Sequence, residues 1–318
     1  MFQNAGGANW VNKSGWLQST AVCTWYGVEC EVGHVVRLHL FSNNLQGSIP
    51  EALVDLDHLQ ILYLHQNYLT EGIPPELGAI PALTRLDLSQ NLLSGAIPAT
   101  LGNLNNTVWL NLSTNQLSGG IPAELGNLSS VQVLRLDHNN LSGEIPPSFG
   151  DLGNLLWLDL GHNQLMGGIP TTFGDLSSMT DLFLYENQLS GSIPAELGTL
   201  TNLVNLSLAF NQLSGVLPPE MGALGNLEKA VLSNNQFSGS IPTTWGNLSK
   251  LDRLWLNNNQ LNGSLPATLG NLSLLQELFL QYNQLSGALP TTLGNLTQLR
   301  LLQLQENQLS ESIPAELG

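Results

Sequence analysis

The sequence predicts an α/β repeat solenoid: a single array of stacked coils, each with one short parallel strand and a returning helical turn. Three observations predict it. First, the chain repeats itself every 24 residues, and one clean copy runs from Leu182 to Asn205. Second, Leu182 and Leu184 alternate in each copy, the spacing that points two side chains off the same face of an extended backbone. Third, an asparagine follows the second leucine by three residues and returns without insertion or deletion at Asn43, Asn67, Asn91, Asn115, Asn139, Asn163, Asn187, Asn211, Asn235, Asn259, Asn283 and Asn307. Self-similarity at a fixed period of this length is the signature of a stacked array rather than a closed globule.

Each element follows from its residues. The leucine pair predicts a strand that buries both side chains. The asparagine stands where that strand must turn. Its amide both donates and accepts, so the column predicts an internal amide ladder bonding the backbone of its own turn and of the next coil. Gly191 and Pro194 shape the bend, because glycine tolerates strained dihedrals and proline fixes φ while removing a donor. Leu197, Leu200 and Leu203 then suit a loose helical turn that returns the chain. A lone coil cannot offset the entropy of ordering its backbone, so stability must come from burying both faces of each coil against its neighbours. Thr107 and Ala230 replace apolar leucine-type positions, and Glu71 and Glu311 stand where glycine is expected. Phe237 and Trp245, in the coil around Ala230, predict volume compensation in the core rather than a site.

Composition narrows the partners. Eight Lys and Arg stand against 24 Asp and Glu, a net charge of −16. That argues against nucleic acid or an anionic membrane surface as partner, since both require basic patches. No apolar run reaches the length of a membrane span, so direct membrane contact by this segment is not expected. Met1 is followed by neither a basic nor an apolar leader region. Phosphate-cradling glycine loops, nucleophile elbows and HExxH are all missing, so the sequence predicts no enzyme, no cofactor and no metal.

The pattern LxxLxLxxNxLxGxIPxxLGxLxx, carried in one copy by Leu189, Gly191, Ile193, Pro194, Leu197 and Gly198, resembles the plant-type leucine-rich repeat. The resemblance covers nearly everything from Val35 to Gly318, about twelve repeats with the last incomplete and uncapped. It implies a right-handed superhelix with a parallel sheet on the concave face, short helical or 3-10 turns on the convex face, and a second short sheet at the LxGxIP piece. Residues 1–34 do not follow the repeat. They hold Trp10, Trp16 and Trp25, and the run Cys23-Thr-Trp25-Tyr-Gly27-Val28-Glu-Cys30 resembles the CxWxGVxC signature of the family's N-terminal cap. The resemblance implies a Cys23–Cys30 bridge and hence an oxidising compartment. A redox-active or metal-binding pair is the rival reading, weakened because no other cysteine and no nearby histidine pair completes a metal site. At the other end Leu302, Leu304, Leu309 and Ile313 would face water, so the chain is expected to be a fragment.

Positions between the strand leucines vary while the scaffold stays constant. Counting from each ladder asparagine, the columns six, four, two and one residues before it, and one after, are expected to be exposed on the concave face. The candidate ligand-binding residues there are Tyr63, Trp109, Arg135, Trp157, Asp159, Asp181, Phe183, Tyr185, Phe210, Arg253, Trp255, Phe279 and Tyr282. Exposed aromatics with polar neighbours are typical of binding surfaces, although aromatics also suit strand surfaces in general. His138 and His162 lie one period apart near Asp137 and Asp159, which could make a pH-sensitive or metal-binding contact, with a solvated polar patch the favoured reading. The glutamines after the ladder, such as Gln212 and Gln236, form either a flat repetitive surface such as ice binders use or a simple edge ladder. Asn127, Asn247, Asn271 and Asn295 carry the N-glycosylation pattern at one turn position in different coils.

The family includes ectodomains of receptor-like kinases and receptor-like proteins, and secreted inhibitors of polygalacturonases. The resemblance therefore implies an extracellular or cell-surface recognition module. Its ligand would be a protein or peptide, with a polysaccharide or a cell-wall enzyme as the other partner classes.

Overall fold

The computed structural model describes residues 1–317, which divide into two units, one of residues 1–164 and one of residues 165–317. In the first unit the chain opens with an aromatic cluster. Trp10 meets Trp16 edge-on at 4.9 Å between ring centroids, and Trp25 lies 4.7 Å from Trp16. The indole N–H of Trp10 donates to Ala5 O and that of Trp16 to Tyr26 O, so both rings are buried with their polar atoms paired. Cys23 and Cys30 are disulfide-bonded. Strand Val28–Glu31 pairs antiparallel with His34–His39 and covers the open edge of the main sheet.

From there the strands run parallel: His34–His39, Ile61–Tyr63, Arg85–Asp87, Trp109–Asn111, Val133–Arg135 and Trp157–Asp159. Their registers step by one repeat, with Leu38 opposite Leu62 and Leu62 opposite Leu86. The second unit repeats the arrangement in Asp181–Phe183, Asn205–Ser207, Lys229–Val231, Arg253–Trp255, Glu277–Phe279 and Leu301–Gln303. Identical leucines meet identical leucines because the period carries no insertions.

A second run of short parallel strands follows each ladder asparagine, as in Gln116–Gly120 and Asn140–Glu144, or Gln212–Val216 and Gln236–Gly239. Here partners lie 22 residues apart rather than 24: Asn140 faces Ser118 and Gln236 faces Ser214. The glycine of LxGxIP takes φ +78 at Gly191, a value that disfavours any Cβ.

The returning turns are 3-10 helices of five residues such as Ala195–Thr199, each entered from a proline with extended backbone, here Pro194 at φ −62 and ψ 135. Among the described residues every helix is of this short type. Successive turns approach so closely that a Cβ at Gly222 would lie 2.4 Å from Thr244 O. The strand and turn leucines are mostly buried, with those of the last coil, such as Leu302 and Leu304, partly exposed, and Ala230, Phe237 and Trp245 are all buried. The indole of Trp245 donates to Pro218 O, and the Thr107 hydroxyl donates to Leu83 O, so both polar departures inside the core are satisfied.

The asparagine column differs in one respect from the expected amide ladder. The side chains bond the backbone of their own turn as expected, but they reach back to the preceding coil rather than on to the next. Asn235 Nδ2 donates to Leu208 O at 2.9 Å and to Leu232 O and Ser233 O at 3.3 Å. Its Oδ1 accepts from Leu213 N at 3.0 Å. The carbonyls that it pairs stand at the turn, where the main strand's own ladder bonds have ended, and the N–H belongs to the second-sheet strand Gln212–Val216.

Candidate ligand-binding face

The outward face of each main sheet is built from the residues between the buried leucines. In the first unit Tyr63 stacks on His39 at 5.2 Å, and Phe41 stacks on His65 at 4.8 Å with the rings almost parallel. Trp109 and Trp157 lie half-buried at the start of their strands. In the second unit Trp255 stacks on Phe279 at 5.2 Å from the adjacent strand, and its indole N–H donates to Glu277 Oε2 at 2.9 Å. Arg253 Nε lies 3.7 Å from Glu277 Oε1. Phe183 and Tyr185 are half-buried on the same face.

The acids of this face depart from the expectation of exposure. Asp159 is 5% exposed and Asp181 8%. Asp159 Oδ1 accepts from Gly161 N, two residues on, and Asn111 holds Ser113 N in the same way. These short side chains bend back to close the turn that ends the strand. Asp181 accepts from Thr180 Oγ1 and from Asn205 Nδ2 of the next strand. Asp159 and Asp181 are therefore framework residues and not contact residues.

A charged cluster surrounds Asp159. Arg135 Nε lies 3.2 Å from Asp137 Oδ1, and its Nη2 lies 3.8 Å from Asp159 Oδ2. His138 Nδ1 is 3.0 Å from Asp137 Oδ2, and the His138 ring stacks on that of His162 at 4.7 Å. Burial pushes the Asp159 carboxyl up to about 6, helped by the neighbouring Asp137, against the pull of Gly161 N–H and Arg135.

The residue just before each ladder asparagine is held in the left-handed region throughout the array: His138 at φ +55, Phe210 at +56, Tyr282 at +57. Polar residues occupy most of these places, such as Gln66, Gln90, Thr114, Asn234 and Asn258. Phe210 and Tyr282 are the exceptions, with 54% and 52% of their surface exposed. Sequence alone marks them as aromatic departures but not as strained ones.

The glycosylation positions Asn127, Asn247, Asn271 and Asn295 are each the exposed last residue of a 3-10 helix. Asn111 and Asn205 also carry the pattern but are occupied in the framework. Asn140, in Asn140-Leu141-Ser142, carries it too and is exposed, a position the sequence reading passed over. Also not singled out from the sequence are His34, Asp57 and His58. The structure brings His34, Asp57 and His58 together on the surface, with the two imidazoles 3.9 Å apart. The signal was present as the 24-residue step from His34 to His58.

Leucine-rich repeat models match residues 33–93, described as leucine rich repeat, and 99–216, described as leucine-rich repeat region. Three single repeats match at 226–248, 250–272 and 274–296. The leucine-rich repeat protein LIC12759 of Leptospira interrogans is 31% identical, with a TM-score of 0.56, over 86% of this chain and 79% of that one. The chain belongs to the leucine-rich repeat family. It is also similar to the plant peptide hormone receptor RGFR1, solved in complex with RGF2, at 38% identity and a TM-score of 0.85 over 86% of this chain and 44% of the receptor. A plant ice-binding protein is 29% identical, with a TM-score of 0.72, over 95% of this chain and 93% of that one. The chain spans about half the length of the receptor structures it matches. Among curated proteins no sequence matches this leucine-rich repeat chain significantly. Among its described residues no helix is long and apolar enough to cross a membrane.

Proposed function

We propose that this leucine-rich repeat chain is an extracellular recognition module that binds a peptide or protein segment on the outward face of its main sheet. One observation carries the reading. Phe210 and Tyr282 sit in left-handed backbone, where a bulky side chain costs on the order of 1 kcal/mol, and neither regains that cost by burial. Residues that folding disfavours and packing does not use are suited to contact. Trp255 and Phe279 lie on the same unit's strands and supply a stacked apolar platform beside the charged pair Arg253–Glu277. The disulfide supports an oxidising compartment. The similarity to peptide-hormone receptor ectodomains supports a peptide as the ligand class.

Selection of a displayed random-peptide library on the immobilised chain tests this. Enriched peptides should bind the unaltered protein and lose roughly tenfold or more in affinity to Phe210→Ser/Tyr282→Ser, while the variant keeps its melting temperature. Undiminished binding to that variant would remove the proposed face.

A second reading rests on a column of glutamines and on the similarity to a plant ice-binding protein. The exposed glutamines Gln188, Gln212, Gln236, Gln260, Gln284 and Gln308 open successive strands of the second sheet in that unit and form a regular polar edge. Ice shaping by the unaltered protein, abolished in Gln212→Lys/Gln236→Lys, would favour this reading over peptide recognition.

A further inference from the structure

We propose that His34, Asp57 and His58 form a binding site for one divalent first-row transition-metal ion, Zn²⁺ or Cu²⁺, where the cap hairpin meets the first repeat. His34 opens its strand directly after the hairpin turn Val32-Gly33, both of whose residues have positive φ. His58 stands 24 residues later, in the same position of the next coil. The imidazoles lie 3.9 Å apart between centroids at 48°, and His58 Nε2 is 3.8 Å from Asp57 Oδ1. One donor atom from each of the three residues lies within 4.8 Å of the others. Around a tetrahedral ion with bonds of ~2.0–2.1 Å, donor atoms stand ~3.4 Å apart. Small rotations of three exposed side chains close that difference.

The comparison with other coils argues that this spot is not ordinary framework. Where His58 stands, four later coils place Asn106, Asn154, Asn202 and Asn226, each donating its amide to a carbonyl 25 residues earlier. Where Asp57 stands, the same coils carry Asn105, Gly153, Thr201 and Gly225. The first repeat thus replaces a stapling amide with an imidazole and sets a carboxylate beside it, above a second imidazole from the cap hairpin. Two imidazoles and a carboxylate form a nitrogen-rich donor set that prefers zinc or copper over calcium or magnesium. Three protein ligands leave a fourth position for water. The net charge of −16 raises the local cation concentration. Bound metal would tie residue 34 to residues 57 and 58 and stabilise the capped end by mass action.

Titration of the metal-free full-length chain with Zn²⁺ by calorimetry tests this, with His34→Gln/His58→Gln, Asp57→Asn and His138→Gln/His162→Gln in parallel. The unaltered protein should bind one ion, with a Zn²⁺-dependent rise in melting temperature. Affinity should fall by roughly tenfold or more in His34→Gln/His58→Gln and drop in Asp57→Asn, and it should weaken toward acid pH because protons compete for the ligand atoms. His138→Gln/His162→Gln should bind as the unaltered protein does. Absence of saturable 1:1 binding, or binding that survives His34→Gln/His58→Gln and is lost in His138→Gln/His162→Gln, would overturn the assignment.

Discussion

At the scale of single residues, Asp159 shows how an exposed-looking position becomes part of the framework. Its place in the repeat says that it lies on the sheet face, and its charge suggests contact with water. The side chain is short, however, and the turn beyond it presents Gly161 N–H, so it folds inward and is nearly covered. Asn111 shows that an uncharged amide fills the same role. The burial has a pH consequence. The native carboxyl holds its proton up to about 6, whereas an unfolded aspartate releases it near 3.8. Between those values the native state binds more protons than the unfolded one, so this group's contribution to stability falls as pH rises. At neutral pH the difference is on the order of 3 kcal/mol. Asp159→Asn should therefore be more stable than the unaltered protein at pH 7.5, with the advantage disappearing near pH 4. Urea unfolding at both values reads it, and an equal loss at both would contradict the burial argument. Phe210 and Tyr282 were legible as aromatic departures in a polar column. Their left-handed backbone was not, because one period of sequence does not disclose φ.

At the scale of the element, the repeat was legible because every strand and turn is written nearly the same way in each coil. The stapling between coils was only partly legible. The ladder asparagines stood out, but two quieter columns do similar work. One is the asparagine that precedes the strand, as in Asn202 to Ser177 O. The other is a hydroxyl inside the 3-10 helix. Thr100, Ser148, Thr244, Thr268 and Thr292 each donate to a carbonyl 25 residues back. In the sequence these read as interchangeable polar turn residues, since nothing in their type discloses the neighbouring carbonyl. In the same column Glu196 and Glu220 stand one coil apart, like charges with no hydroxyl to donate. Glu220→Thr should add a hydrogen bond to Ala195 O, by the pattern that joins Thr292 to Ala267 O, and should remove that repulsion. The gain expected is about 1 kcal/mol. Glu220→Val relieves the charge without supplying the donor, so its melting temperature should fall between those of the unaltered protein and Glu220→Thr. Equal values for the two variants would show that the hydroxyl contributes nothing.

At the scale of the whole molecule, charge is sorted by element. Arg37 pairs with Glu29 and Glu31, Arg135 with Asp137 and Asp159, and Arg253 with Asp252 and Glu277. These three arginines are thus engaged on the sheets, and acids such as Glu51, Glu76, Glu124, Glu196, Glu220 and Glu316 gather in the first turns of the 3-10 helices. The sequence disclosed the net charge and the position of those acids in the repeat, while the pairing of the arginines needed coordinates. A chain carrying −16, with Arg37, Arg135 and Arg253 in ion pairs, is held against its own repulsion by the leucine core. Screening should relieve that repulsion, because the Debye length falls from ~10 Å at 0.1 M to ~3 Å at 1 M salt. The arginine pairs oppose this, since salt weakens them too, but they are few and partly exposed, and such pairs contribute little. The melting temperature should therefore rise with sodium chloride. A series measured with sodium and again with choline as the cation separates screening from specific ion binding. Matching rises support repulsion as the cause, and a flat or falling curve would mean that the arginine pairs outweigh the acidic turns.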